Sequence, residues 1–174
     1  SRCMDKKQTK VLSQLERTDW LRLIRSENVG PVTFFKLLER FGSAGAALDA
    51  LPGLARSGGK KAIRTASRAI VEDEIAKLDK IDAKMIGWGE AGYPPMLNHI
   101  EDPPPLISVL GHPHLLTKKA IAVVGARNAS INGKKFARRI AEDLGRGGLM
   151  VVSGMARGID AEAHAGTLES GSVG

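Results

Sequence analysis

Apolar residues in the first third of the chain recur with a helical period. Phe34, Leu37, Leu38 and Phe41 stand at i, i+3, i+4 and i+7, the stripe of an amphipathic helix. Pro31 suits the first turn of that helix and Gly42 its end. Before it, Asp19 is placed to N-cap a helix carrying Leu21 and Ile24 that stops at Asn28-Val29-Gly30. After it, Ser43 can cap a third helix with Ala47, Leu48 and Leu51 inward, broken by Leu51-Pro52-Gly53. A linker-like run from Arg56 to Lys61 then leads into a long helix, about Lys61 to Lys80, with Val71, Ile75 and Leu78 on one face. The pattern predicts a small all-α domain of four helices over residues 11–80.

The period changes after Lys80. Residues 81–117 form a proline-rich segment in which Met85 to Trp88 and Leu106 to Leu110 are apolar stretches of strand length. Pro94, Pro95 and Pro103 to Pro105 force extended or turning backbone between them. From 118 to 174 the pattern alternates. Ala120 to Val124 is a continuous apolar run ended by Gly125-Ala126-Arg127. A helix from about Asn132 to Arg146 follows, with Phe136, Ile140 and Leu144 on one face, and Gly147-Gly148 stop it. Leu149 to Val152 make a second apolar run, and another helix starts near Ile159. Strand, helix, strand, helix predicts an α/β, Rossmann-like domain with two parallel neighbouring strands, its sheet incomplete at Gly174. The loops GARNAS (125–130) and SGMARGID (153–160) then leave the carboxyl edge side by side, where such sheets bind ligands.

Composition narrows the class. A chain of 174 residues, 43% hydrophobic, suffices for one good core or two small domains. It has no apolar run near the roughly 18 residues of a membrane span. The start, SRCMDKKQTK, has no apolar stretch after its charges, so it reads as neither secretory signal nor anchor, and the residues before Met4 read as additions. Cys3 is the single cysteine, which points to no disulfide framework, no thiolate metal site and a reducing cytoplasm. The net charge of +7 is uneven: cations stand to anions as 16 to 10 over residues 1–80, 1 to 4 over 81–117, and 9 to 5 over 118–174. Two basic blocks flank an acidic middle, a balance compatible with a phosphate-bearing partner without requiring one.

The loop chemistry is more specific than the charge. After the first sheet strand a dinucleotide fingerprint would read G-x-G-x-x-G, and Arg127 stands where the second glycine belongs. A Walker A loop is absent as well, and no cofactor is expected. Arg127 instead offers a planar, permanently charged fork, with Ser130, Gly133 and the N–H groups opening the next helix as donors beside it. Lys134, Lys135 and Arg157 add screened attraction. Ser153, Asp160 and His164 raise a hydrolytic reading, but Ser153 lacks the G-x-S-x-G elbow. Asp160 then reads as the helix cap, Ser153 as a loop-bonding hydroxyl, and His164 as a packed or surface side chain, with no catalytic residue. His112 and His114 flank Pro113 with no nearby third ligand, so they read as loop residues and no metal is expected. Asn28-Val29-Gly30-Pro31 reads as a tight corner, or as the turn of a helix-hairpin-helix whose N–H groups touch DNA phosphate.

Three stretches carry a resemblance: YPPML followed by DPPPLISVLG (93–97 and 102–111), AVVGARNASINGKKFA (122–137) and VVSGMARGIDAEAH (151–164). The sequence resembles the DNA-processing protein A (DprA, or Smf) family of bacteria over nearly its whole length. The resemblance implies an N-terminal domain like a sterile alpha motif joined to an extended Rossmann-like domain, often with a C-terminal winged helix. It implies a cytoplasmic protein that is not an enzyme. Such a protein binds single-stranded DNA entering the cell in natural transformation, protects it and helps load the RecA recombinase. It implies a homodimer through the Rossmann-like domain, with no membrane partner. The arginine of the family's G-[ATS]-R motif falls on Arg127 and the serine-glycine loop on Ser153 to Asp160. The expected phosphate-binding set is Arg127, Ser130, Gly133, Lys134, Ser153, Gly154, Arg157 and Gly158, with Gly125 and Asp160 shaping the loops. One departure is Asn132, where the family often has tyrosine; another is that the chain stops at Gly174, where the family would begin its third strand. Two other classes remain. A nucleotide-processing enzyme of the lysine-decarboxylase-like, cytokinin-activating family would need P-G-G-x-G-T-x-x-E, which does not occur here. A protein-interaction module would be carried by residues 11–80.

Overall fold

The computed structural model of the chain describes residues 10–57 and 63–174, so Cys3, Met4 and the end of the Arg56–Lys61 run lie outside the described residues. The chain divides into two compact units, Ser1–Pro113 and His114–Gly174. No helix among the described residues is long and apolar enough to cross a membrane.

The first unit holds helices α1 (Gln14–Ile24), α2 (Pro31–Phe41), α3 (Ala44–Ser57) and α4 (Arg68–Lys80), then the antiparallel strands β1 (Lys84–Gly87) and β2 (Leu106–Val109). Trp20 and Leu23 of α1, Phe34 and Leu37 of α2, and Ala47, Leu48 and Leu51 of α3 form one buried cluster. Trp20 meets Phe34 edge-on with ring centres 5.0 Å apart. Each large side chain so buried stabilises the fold by about 1.5–3 kcal/mol. The α2 stripe closes as its sequence predicts, with Pro31 opening the helix and Gly42 ending it at φ 79°.

Three boundaries differ from the sequence reading. The first helix starts at Gln14, because Ser13 and Glu16 form a reciprocal capping box that begins the helix earlier in the chain than Asp19 would. Asp19 lies inside α1 and pairs with Arg22 and Arg68, at 3.8 and 3.9 Å. The third helix runs through Pro52 to Ser57, since a proline removes one helical hydrogen bond while Leu48 and Leu51 in the turn before it stay buried. The fourth starts at Arg68, capped by Ser67, and not near Lys61. The residues before it are held by the end of α1: Ala66 N–H donates to Ser26 Oγ, Glu27 N–H to the Arg64 carbonyl, and Arg22 Nε to the Ala66 carbonyl.

The hairpin is tied to the helices by one charged knot. Arg17 donates to both oxygens of Glu90 at 2.9 Å and to the Met85 carbonyl at 2.6 Å, while Glu90 also accepts the N–H groups of Leu12 and Gly87. Burial alone would raise the Glu90 carboxyl; the Arg17, Gly87 and Leu12 hydrogen bonds outweigh it and hold the group below its ordinary value. Tyr93 is buried and donates to the Pro104 carbonyl at 2.7 Å, and burial pushes its hydroxyl up to about 12.

The second unit is β3 (Ala120–Ala122), α5 (Ile131–Arg146), β4 (Met150–Val152), α6 (Ile159–Gly166) and β5 (Ser172–Val173), a parallel sheet in the order β3-β4-β5. The third strand corrects the expectation of two. It is only a Ser-Val pair after Gly171 (φ 86°), too short to show as an apolar run, and Ser153 N–H to the Val173 carbonyl fixes it. Val151, Ala141 and Ala163 centre the core, with Val123 and Leu144 around them. The apolar face of α5 is not the buried one throughout: Phe136 is 65% exposed and Ile140 36%, while Ala137 and Ala141 turn inward. Close packing of α5 on α6 accounts for this, because Gly166 lies against the backbone of Arg138, and Gly145 against Ser170 and Thr167, with no room for larger side chains.

Candidate nucleic-acid interface

Both glycine loops leave the carboxyl edge of this sheet, and they interlock. Ser130 caps α5 by accepting from Gly133 N–H at 3.1 Å, and Ile159 at the start of α6 donates its N–H to the Ala126 carbonyl at 3.3 Å. Gly125 lies against the Ile159 side chain, which would stand 2.6 Å from a Cβ at that position. Gly158 adopts φ 84° and abuts the carbonyls of Ala126 and Arg127, so both its backbone angle and its surroundings require glycine. The two loops are one surface.

The expected binding residues divide on this surface. Arg127 and Arg157 are exposed and form no hydrogen bond or ion pair among the described residues. Lys134 on α5 is half-buried and its ammonium is likewise unpaired, whereas Arg138 is paired with Glu162 at 2.8 Å. Gly154 and Met155 are exposed at the loop crest. Ser130 keeps a hydroxyl proton to donate, while the Gly133 N–H is occupied by Ser130. Ser153 turns inward: it is 4% exposed and donates to the Val123 carbonyl at 2.7 Å, joining the ends of β3 and β4. Asp160 is the second residue of α6, with Gly158 at the cap position. Its carboxylate accepts the Ala156 N–H at 3.4 Å, so it shapes the loop from within.

What remains outward is cationic and donor-rich. The N–H groups of Ile131 and Asn132 open α5 shortly after Arg127 with no acid in the first turn, whereas the start of α6 after Arg157 carries Asp160 and Glu162 and its Ile159 N–H is taken by the Ala126 carbonyl. Such a surface can hold an anion through charge-assisted hydrogen bonds. It does not assemble a hydrolytic set: Ser153 bonds Val123, Asp160 bonds Ala156, and His164 bonds Ser172 and Gly154. No group of three or more His, Cys, Asp or Glu that could hold a metal occurs among the described residues. The sequence reading missed the bridging role of His164; its i+4 spacing from Asp160 on α6 was the available signal.

Residues 14–76 match the family model of the DprA-like N-terminal HHH domain, and residues 84–173 that of DNA recombination-mediator protein A. The chain belongs to the DNA recombination-mediator protein A family. Its relatives include Protein Smf of Escherichia coli (strain K12), 34% identical over 106 residues, which make up 61% of this chain and 28% of that protein. The DNA processing protein DprA of Bacillus subtilis (strain 168) is 37% identical over 79 residues, 45% of this chain and 27% of that one. The chain thus spans under a third of either relative. The X-ray structure of DNA processing protein A (DprA) from Streptococcus pneumoniae is similar with a TM-score of 0.59 and 26% identity, covering 92% of this chain and 56% of that one. Family membership accounts for the mixed α/β architecture and for both glycine loops, which fall inside the second matched region.

Proposed function

We propose that the interlocked loops hold the phosphate backbone of single-stranded DNA. The observation that carries this is that Arg127 and Arg157, one from each loop, are exposed and form no ion pair among the described residues, with the acid-free N-terminus of α5 shortly after Arg127. Phosphate contacts of this kind fix the strand's position without reading its sequence. Arg127 is the main contact, with Ser130, Lys134, Lys135, Arg157 and the Gly154 backbone around it; Ser153, Gly125, Gly133, Asp160 and the buried Gly158, which the sequence placed among the phosphate contacts, build the loops. In the family setting this chain is part of a cytoplasmic, non-enzymatic homodimer that protects DNA taken up in natural transformation and assists loading of the RecA recombinase. The family's role as a recombination mediator and the naming of relatives as DNA processing proteins support that reading.

Fluorescence anisotropy with a labelled oligothymidylate tests it. Binding is expected to yield to unlabelled single strands of any sequence and not to a nucleoside monophosphate at equal phosphate concentration. Incubation with nucleoside monophosphates is expected to release no base. Turnover that disappears in Ser153→Ala would instead favour the nucleotide-processing class.

A further inference from the structure

His164 stands behind the anion surface, yet both of its ring nitrogens are engaged. Nε2 lies 3.0 Å from the Gly154 carbonyl oxygen and Nδ1 lies 2.8 Å from the Ser172 hydroxyl. A carbonyl only accepts, so Nε2 carries the proton and donates it, and in the neutral ring Nδ1 accepts from Ser172. One helical turn earlier, Asp160 accepts the Ala156 N–H, and Gly154 fits so closely that a Cβ there would stand 2.6 Å from Oδ2. Two side chains at i and i+4 on α6 therefore grip groups of opposite polarity in one short loop. The carboxylate takes the N–H of Ala156, and the imidazole gives a proton to the carbonyl of Gly154. Between these two points Met155 is 85% exposed, and Arg157 follows immediately. A glycine-flanked segment this exposed loses much conformational freedom on being fixed, so its tethers determine which way its backbone and Arg157 face.

We infer that His164 is a positioning residue for the anion loop, pinning Gly154 to β5 through Ser172. The inference rests on the phosphate reading for its consequence in DNA binding, whereas the pinning is a property of the free protein.

Amide hydrogen exchange, read residue by residue on the chain with His164→Ala and His164→Gln, tests the pin. Removing the imidazole is expected to speed exchange of Ala156 by about tenfold or more, with α5 unchanged, as for a local opening. Glutamine retains an N–H donor and is expected to restore most of the protection. Ser172→Ala, which leaves the ring in place but frees Nδ1, is expected to give a smaller increase, and it reads the same pin if His164→Ala does not fold. In binding to oligothymidylate, His164→Ala is expected to cost about threefold to tenfold, the worth of about one hydrogen bond, with His164→Gln within about twofold of the parent. Unchanged exchange across 154–158, or a glutamine variant as deficient as the alanine one, overturns the inference. If Arg127→Ala weakens DNA binding and a folded His164→Ala does not, the positioning role is overturned while the phosphate reading stands. If the exchange responds and neither variant changes affinity, the pin stands and the phosphate reading fails.

Discussion

Two charged side chains stand in opposite settings: Arg127 is exposed at a loop, and Glu90 is bonded into the fold by four hydrogen bonds. Arg127 was legible as a candidate anion ligand because an arginine in place of a glycine changes what a loop can hold, and it is exposed in the structure. Ser153 was legible only as a hydroxyl in a loop; whether it faces solvent or the Val123 carbonyl depends on where β3 ends, which no local pattern encodes. Glu90 was not legible at all, since its partner Arg17 lies on α1, far away in sequence. Its energetics are testable. Glu90→Gln keeps the size of the side chain and removes the charge from a knot of four hydrogen bonds to Arg17, Leu12 and Gly87. The expected loss at neutral pH is about 2–3 kcal/mol in chemical denaturation. A carboxyl held below its ordinary value of 4.5 stabilises the folded state above that pH and loses its contribution as pH falls through the lowered folded value. The gap between parent and variant is therefore expected to narrow on going from pH 7 to pH 3. A gap that stays constant would contradict the charged knot.

At the level of elements, periodicity located α1 to α5 but not the short 3-10 turns Pro95–His99 and Pro113–Thr117, and capping decided where α1 and α4 begin. The α2 stripe and its glycine stop were complete in the sequence, but α1 began at Ser13 because a capping box satisfies two orphan N–H groups where Asp19 would satisfy one. Ser13→Ala is expected to lower stability by about 1 kcal/mol and to fray the first turn of α1, measured as faster exchange of the Glu16 and Arg17 amides. Stability and exchange equal to the parent's would mean that packing of Leu12 and Trp20, and not the cap, sets the helix start. The α5 face misled for a different reason. Its large apolar residues and its small ones both repeat at helical spacing, and only the proximity of α6 selects Ala137 and Ala141 for the inside.

For the whole molecule, a parallel sheet with its loops at the carboxyl edge followed from the alternation of strand and helix patterns together with the crossover rule, whereas the grouping of the proline-rich segment with the helices, in the unit Ser1–Pro113, did not. The packing of the hairpin on the helices, through Arg17, Glu90 and the Phe35–Trp88 contact at 5.1 Å, followed from neither, because it is made by residues distant in sequence. In the second unit the two interlocked loops leave Arg127 exposed, and we propose that a DNA phosphate is what it meets. The most direct measurement is the affinity of Arg127→Ala for oligothymidylate as a function of salt, with the melting temperature recorded alongside. The expected loss is about tenfold or more, as for a charge-assisted hydrogen bond, at an unchanged melting temperature. The slope of log K against log salt is expected to be shallower by about 0.7, one phosphate contact on a single strand. A folded Arg127→Ala protein with the parent's affinity and the parent's salt slope would rule out Arg127 as a phosphate ligand.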